Sequence, residues 1–321
     1  MDNNTSTLRR LYSHGIIDSS PNSFKDFVLE NNAPLLIEKL KKGLDDASLK
    51  VLNTAVHKAL YLPDYKYARY LYVDDSEFKT VFESSSDKMF SELESRYCSE
   101  IRKKYKLSKD SYDMEVFVYH HGLRFCSEKI KDYVKNKDFI DGGAYIGDSA
   151  LVFMDYYPQK VYSFEISNSS IENYKKTMEI NRIPNHKFEI IAKAISEKKE
   201  QVIVSDYGGM GVKIFNKEGY CIESTDLDSF FENKDVNIGF IKADLEGAMY
   251  KALKGMKRII RKYRPVLSFA IYHSPEEFFY TKPLLDEITK DLNYKITFDC
   301  HFSSCFHIYG TIIWAYPLEL S

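Results

Sequence analysis

The residues best able to do chemistry fall in three short segments. The first is Phe139-Ile140-Asp141-Gly142-Gly143-Ala144-Tyr145-Ile146-Gly147-Asp148. It reads as a buried strand, a glycine-rich turn and a helix start. A glycine turn lets backbone approach a ligand closely, because no Cβ stands in the way. A helix start offers unpaired N–H groups. The next apolar run, Val161-Tyr162-Ser163-Phe164, ends on Glu165-Ile166. An acid at that point can hold ribose hydroxyls. Together these residues describe a pocket for an adenosine-bearing cofactor.

The turn itself discriminates between cofactors. A dinucleotide site wants G-x-G-x-x-G, so that a pyrophosphate can rest on the helix N-terminus. Here Asp141 precedes Gly142, Gly143 and Gly147, and bulky Tyr145 and Ile146 occupy the turn. A carboxylate at the mouth disfavours phosphate and suits the ammonium or sulfonium of S-adenosylmethionine. NAD is the weaker option, and a strand-turn-helix without a ligand is the plain alternative.

The second segment is Phe240-Ile241-Lys242-Ala243-Asp244-Leu245-Glu246-Gly247-Ala248, an apolar strand ending in two carboxylates. Asp244 and Glu246 could grip the cofactor's ammonium, orient a substrate hydroxyl or coordinate a divalent metal. A magnesium-assisted version stays open, although no residue is assigned as a metal ligand. Glu246 could equally do no more than favour a helix start. The third segment is Ser268-Phe269-Ala270-Ile271-Tyr272-His273-Ser274-Pro275. An imidazole at a strand's carboxyl end suits removal of a hydroxyl proton. His273 is therefore the expected base, with Asp244 as its rival.

The elements that must position these residues alternate from about residue 111 onward. Candidate strands are Glu115–Tyr119, Asp138–Asp141, Lys160–Glu165, Phe188–Ile195, Gln201–Ser205, Gly239–Ala243, Val266–Tyr272, Tyr294–Asp299 and Thr311–Tyr316. Candidate helices are Cys126–Lys135, Asp148–Tyr156, Ser170–Asn181, Asp226–Glu232, Ala248–Tyr263 and Lys282–Lys290. Such alternation predicts an α/β fold with a doubly wound, mostly parallel sheet. Its ligand should sit where strand order reverses, between Asp138–Asp141 and Gly239–Ala243. The last two strands lack a helix between them, which predicts an antiparallel C-terminal edge hairpin. The turn at Lys193-Ala194 should border the adenine.

Residues 1–110 read as a helical region serving as scaffold, dimerisation element or lid, and 111–321 as the cofactor-binding domain. Leu49, Leu52, Val56 and Leu60 recur at helical spacing, as do Leu93, Tyr97 and Ile101, with Asp87 as a candidate cap. Ser19-Ser20-Pro21-Asn22-Ser23 and Leu62-Pro63-Asp64 look like breaks.

Composition narrows the function classes. A net charge of −2 over 321 residues gives no general pull toward nucleic acid or an anionic membrane. No apolar run is long enough to span a bilayer. The start Met1-Asp2-Asn3-Asn4 lacks signal-peptide character. The five cysteines are scattered and odd in number, which suits reduced thiols in a cytoplasm. The expected partner is a small-molecule acceptor, with homo-oligomerisation left open. Tyrosine and phenylalanine are abundant, which biased base composition explains more simply than a surface for sugars or aromatic compounds.

The three segments in this order resemble the FkbM family of S-adenosylmethionine-dependent methyltransferases. Asp141, Gly143, Ala144, Gly147 and Asp148 match an apolar strand running into D-x-G-A-x-x-G-D. Glu165 matches the acid after the second strand. Ile241, Lys242, Asp244, Glu246, Gly247 and Ala248 match I-K-x-D-x-E-G-A, and Leu253-Lys254-Gly255 the L-K-G that follows. Arg264-Pro265 and Tyr272-His273 match the K/R-P strand ending in Y-H that comes next. The resemblance covers roughly 115–317. It implies a seven-stranded, class I methyltransferase (Rossmann-like) sheet and O-methylation, commonly of sugar or natural-product hydroxyls. Met249 stands where the family usually has a glutamate, and Gly310-Thr311 where it often has Glu-Thr. These departures bear on the acceptor side. An NAD-linked oxidoreductase and a catalytically silent binding protein of the same fold are the alternatives.

Two other signals carry less. Cys300, His301, Cys305 and His307 suggest zinc, but adjacent strand residues face opposite ways and cannot all converge. The basic run from Lys251 to Arg264 alternates with Leu253, Met256, Ile260 and Tyr263 at helical spacing, as a core-packed helix with a solvated face does. His120-His121-Gly122-Leu123 could fold back over the cleft, though nothing in the sequence requires it.

Overall fold

The computed structural model describes residues 24, 27–28, 30–61, 100–206, 212–214, 219–300 and 310–321. Its centre is a seven-stranded sheet of order β10-β11-β9-β8-β1-β2-β3. These strands are β1 (Asp138–Gly142), β2 (Val161–Phe164), β3 (Phe188–Ile191), β8 (Ile238–Ala243), β9 (Val266–Ala270), β10 (Tyr294–Cys300) and β11 (Thr311–Pro317). Five neighbouring strands run parallel, and β11 runs antiparallel to both β9 and β10. Every residue of β1, β2, β8 and β9 is buried, as expected for a parallel sheet covered on both faces.

Helices α1 (Ala33–Lys41), α2 (Asp46–Tyr61), α3 (Met114–Phe117), α4 (Glu128–Val134), α5 (Asp148–Phe153), α6 (Asn168–Ile180), α7 (Leu227–Phe230), α8 (Met249–Lys254), α9 (Lys257–Tyr263) and α10 (Pro275–Thr289) surround it. Leu40 of α1 and Leu52 and Val56 of α2 share one core with Phe278 and Leu285 of α10 and Phe298 of β10. The N-terminal helices therefore pack onto the sheet's flank. No helix among the described residues is long and apolar enough to cross a membrane.

Several expected elements differ. The segment expected as a strand at Glu115–Tyr119 is the short helix α3, because the Asp113 side chain caps it through the Glu115 N–H. Phe188–Ile195 is two strands: β3 stays in the main sheet, and β4 (Ala194–Ile195) turns away into a second sheet of order β4-β7-β5-β6. That sheet also takes β5 (Gln201–Asp206), β6 (Val212–Ile214) and β7 (Tyr220–Thr225). The long helix expected over Ala248–Tyr263 breaks at Gly255, where a Cβ would lie 2.2 Å from the Ser196 carbonyl oxygen. The helix expected at Lys282–Lys290 starts earlier, since Ser274 caps it and Pro275 occupies its first turn. Leu93, Tyr97, Asp87, both candidate breaks, and His301, Cys305 and His307 lie outside the described residues.

Candidate active site

Strand register builds the centre of the site. Asp141 of β1 lies beside Ser163 of β2 on one side and Lys242 of β8 on the other, and Lys242 lies beside Ser268 of β9. A polar row thus crosses an otherwise apolar sheet one or two residues before its carboxyl edge. The Lys242 ammonium stands 3.3 Å from Asp141 and donates to the carbonyls of Gly143 at 2.7 Å and Gly142 at 3.2 Å. Both side chains are buried.

This placement changes the expected role of Asp141. Its carboxylate lies beneath the turn and meets Lys242, so it is not an open charge at the pocket mouth. Neither of its oxygens accepts a hydrogen bond. Burial pushes its pKa up against the pull of Lys242. Burial also opposes the charge on Lys242, but Asp141, Asp244, Asp148 and Glu115 more than offset this and raise its pKa. One ammonium therefore faces four carboxylates. Burial lifts Asp148 to about 7, against the pull of Lys242. Burial and the nearby Glu115 lift Asp113 to about 6.

The glycines serve the chain's own packing. A Cβ on Gly143, at φ +73°, would lie 1.9 Å from the Asp244 carbonyl oxygen, and Asp244 N–H donates to the Gly142 carbonyl at 3.0 Å. A Cβ on Gly147, at φ +81°, would meet the Tyr174 ring at 2.9 Å. These bare positions join the ends of β1 and β8 and seat the turn on α6, where close approach to a ligand was the expected reason for them.

Glu165 closes the turn from the other side. Its Oε2 accepts from Tyr145 N–H at 2.7 Å, and its Oε1 from Ile166 and Ser167 N–H at 2.7 and 2.8 Å. A carboxylate has about four lone-pair positions, so one is left for a ligand hydroxyl rather than a pair. Burial pushes Glu165's pKa up despite these donors. Ile166 packs on the small core of Ala194, Val202 and Val204. Lys193 pairs with Glu223, and Ala194 pairs with Ser224 in the second sheet.

At the ends of β8 and β9, His273 Nε2 lies 3.2 Å from Asp244 Oδ1 and 3.7 Å from Glu246 Oε2. Its Nδ1 faces Glu277 Oε2 at 3.3 Å. Burial disfavours a charged imidazole here, but Glu246, Asp244 and Glu277 outweigh it and raise His273 to about 10. Three carboxylates around one imidazole favour its charged form, which weighs against His273 as the expected base. The ligand atoms of Asp244, Glu246 and His273 all lie within 4.8 Å of one another, close enough to share a metal ion.

Sequence reasoning missed four groups at this edge. Lys242 was only a motif letter, although a lysine inside an apolar parallel strand must find a counter-charge. Glu277 follows His273 by four residues, the spacing that brings side chains together along one helical turn. Asp113 and the Glu115–His121–Ser149 chain were hidden by the strand expected there. His121 Nδ1 lies 3.2 Å from Glu115 Oε1, and its Nε2 lies 2.8 Å from Ser149 Oγ on α5. His121 thus packs against the helix that follows the glycine turn.

Comparison with known proteins assigns a family to the part of the chain that holds the site. The Methyltransferase FkbM domain matches residues 141–296, a span that begins within the first segment, at Asp141, and holds the other two. Residues 141–296 are an FkbM methyltransferase domain. The structure of Methyltransferase FkbM from Methylobacillus flagellatus KT superposes with a TM-score of 0.54 at 17% identity, over 92% of this chain and 61% of that one. That likeness establishes the fold, and this chain spans 61% of that protein's length. An rRNA methylase from Streptococcus thermophilus gives a TM-score of 0.39 at 11% identity, over 64% of this chain and 98% of that one. Aeropyrum pernix fibrillarin with natively bound S-adenosyl-L-methionine gives 0.38 at 10%, over 62% and 73%. No curated protein matches the chain. The FkbM domain has the family and fold of S-adenosylmethionine-dependent methyltransferases.

Proposed function

We propose that this chain transfers a methyl group from S-adenosylmethionine to a hydroxyl oxygen of a sugar, glycan or natural product. The observation that carries the reading is the Lys242 ammonium facing Asp141, Asp244, Asp148 and Glu115 at the point where strand order reverses. The residues fit the cofactor. Asp141 Oδ1 and Oδ2 and Asp244 Oδ1 are buried and accept no hydrogen bond. A cationic ligand answers that excess of negative charge, whereas a pyrophosphate would add to it.

When bound, S-adenosylmethionine supplies a methyl group already activated for displacement. The chain's share is alignment, charge and a proton acceptor. Asp141, Gly142, Gly143, Tyr145, Gly147 and Asp148 border the methionine side. Glu165 offers its remaining lone pair to the ribose, beside Ile166, and Lys193 and Ala194 border the adenine. Holding the acceptor oxygen in line is the largest contribution such a site can make. Asp244 takes the hydroxyl proton: an alcohol oxygen gaining a methyl group becomes a strong acid, so a carboxylate suffices. His273 and Glu246 fix Asp244 in place. On this reading the enzyme is cytoplasmic and acts on a small molecule or glycan rather than a nucleic acid. Residues 1–110 then serve as scaffold, dimerisation element or lid.

Incubation with methyl-labelled S-adenosylmethionine and a panel of monosaccharides, nucleotide sugars and hydroxylated natural products tests this. Label should appear as an alkali-stable O-methyl ether and be lost in Asp244→Asn. Label accumulating in ribosomal RNA or protein instead would contradict the acceptor class.

A further inference from the structure

We propose that Asp244, Glu246 and His273 form a binding site for a divalent metal ion of the manganese class. Two carboxylate oxygens and one imidazole nitrogen suit a borderline first-row ion better than calcium, which takes oxygen ligands. The spacing fits. Ligands about 2.1 Å from a metal stand roughly 3.0 Å apart at right angles and roughly 3.4 Å apart in a tetrahedron. His273 Nε2 is 3.2 Å from Asp244 Oδ1 and 3.7 Å from Glu246 Oε2, so small side-chain adjustments bring all three onto one ion.

The surroundings are organised for coordination. Glu277 is fully buried, and its Oε1 accepts from the N–H groups of Gly247 at 3.1 Å and Met249 at 2.9 Å. These bonds hold the turn in which Glu246, at φ +49°, occupies the left-handed region. Glu277 Oε2 accepts from His273 N–H at 3.2 Å and faces Nδ1 at 3.3 Å, which turns Nε2 toward the two carboxylates. A single side chain thus sets the orientation of Glu246 and of His273. A carboxylate behind the far nitrogen is the usual outer support of a metal-ligating histidine. Asp244 Oδ1 is buried and accepts no hydrogen bond, so the oxygen nearest His273 Nε2 has lone pairs to offer an ion. Three protein ligands leave positions open on the ion. If the chain methylates a hydroxyl as proposed above, the acceptor oxygen can take one of them.

Metal binding is measured without turnover, so its failure is separate from failure of the methyl-transfer reading. Tag-free protein is titrated with Mn²⁺ and followed by electron paramagnetic resonance, with echo-envelope modulation reading nitrogen coupling. The expected result is one bound ion carrying imidazole nitrogen coupling. That coupling should vanish in His273→Gln, and affinity should fall at least tenfold in Glu246→Gln. Thermal melts establish that both variants remain folded, and loss of affinity in either folded variant supports the site. No Mn²⁺ uptake by the wild-type chain, or unchanged nitrogen coupling in His273→Gln, would overturn the proposal.

Discussion

Lys242 and Asp141 show how much one buried pair can control. Register makes them neighbours, and neither reaches solvent. Removing one partner leaves an uncompensated buried charge, which typically costs about 3–5 kcal/mol. Lys242→Met should therefore lower the unfolding free energy by about that much in urea, and the Asp141→Leu/Lys242→Met double variant should recover most of it. Glu165 carries two duties. Glu165→Ala strands the N–H groups of Tyr145, Ile166 and Ser167, so its melting temperature should fall. The same variant should bind S-adenosylmethionine about tenfold more weakly, about 1.4 kcal/mol. Calorimetry on the folded variant separates the two effects; unchanged affinity would remove the ribose assignment. Asp141, Glu165, Asp244 and His273 could all be picked from the sequence as strand-end polar residues. Their partners could not, because the pairing of Asp141 with Lys242 depends on β1 lying beside β8, and that of His273 with Glu277 on where α10 begins.

The turn after β1 is rigid because other elements press on it. Gly143→Ala puts a methyl group into the Asp244 carbonyl at a left-handed φ, so backbone must move. This substitution should destabilise the chain more than Gly147→Ala, whose Cβ meets the side-chain ring of Tyr174. Urea titration of the two variants gives the order, and equal midpoints would show that the β1–β8 contact is slack. Strands with near-continuous apolar runs, β1, β2, β8, β9 and β11, were legible in the sequence for the reason that they are buried on both faces. Strand β7 was missed because Tyr220-Cys221-Ile222-Glu223-Ser224-Thr225 is polar and half exposed, with no strong alternation. Helix α3 was mistaken for a strand because four residues are too few to show a helical period, and only its Asp113 cap reveals it. The break between α8 and α9 likewise depends on a tertiary contact, that of Gly255 with Ser196.

At the scale of the whole molecule, one edge of the sheet concentrates negative charge around a single lysine. Asp148 and Asp113 hold their protons to about 7 and about 6 because burial disfavours their charged forms. Their native pKa values lie above the ordinary 3.8, so the free protein binds more protons folded than unfolded between pH 4 and 7. Their contribution to stability is therefore greatest in acid and declines as pH rises through that window. A cationic ligand reverses the balance by favouring the ionised forms. The stabilisation given by S-adenosylmethionine should thus grow from pH 6 to 8, with protons released on binding, as melting curves at several pH values would show. The central claim is that this edge selects a positively charged adenosyl ligand over a pyrophosphate. Calorimetric titration of the purified wild-type chain with S-adenosylmethionine and, separately, NADH at pH 7.5 tests it most directly. The account predicts saturable binding of the first and none of the second. Saturable NADH binding with no response to S-adenosylmethionine would contradict it.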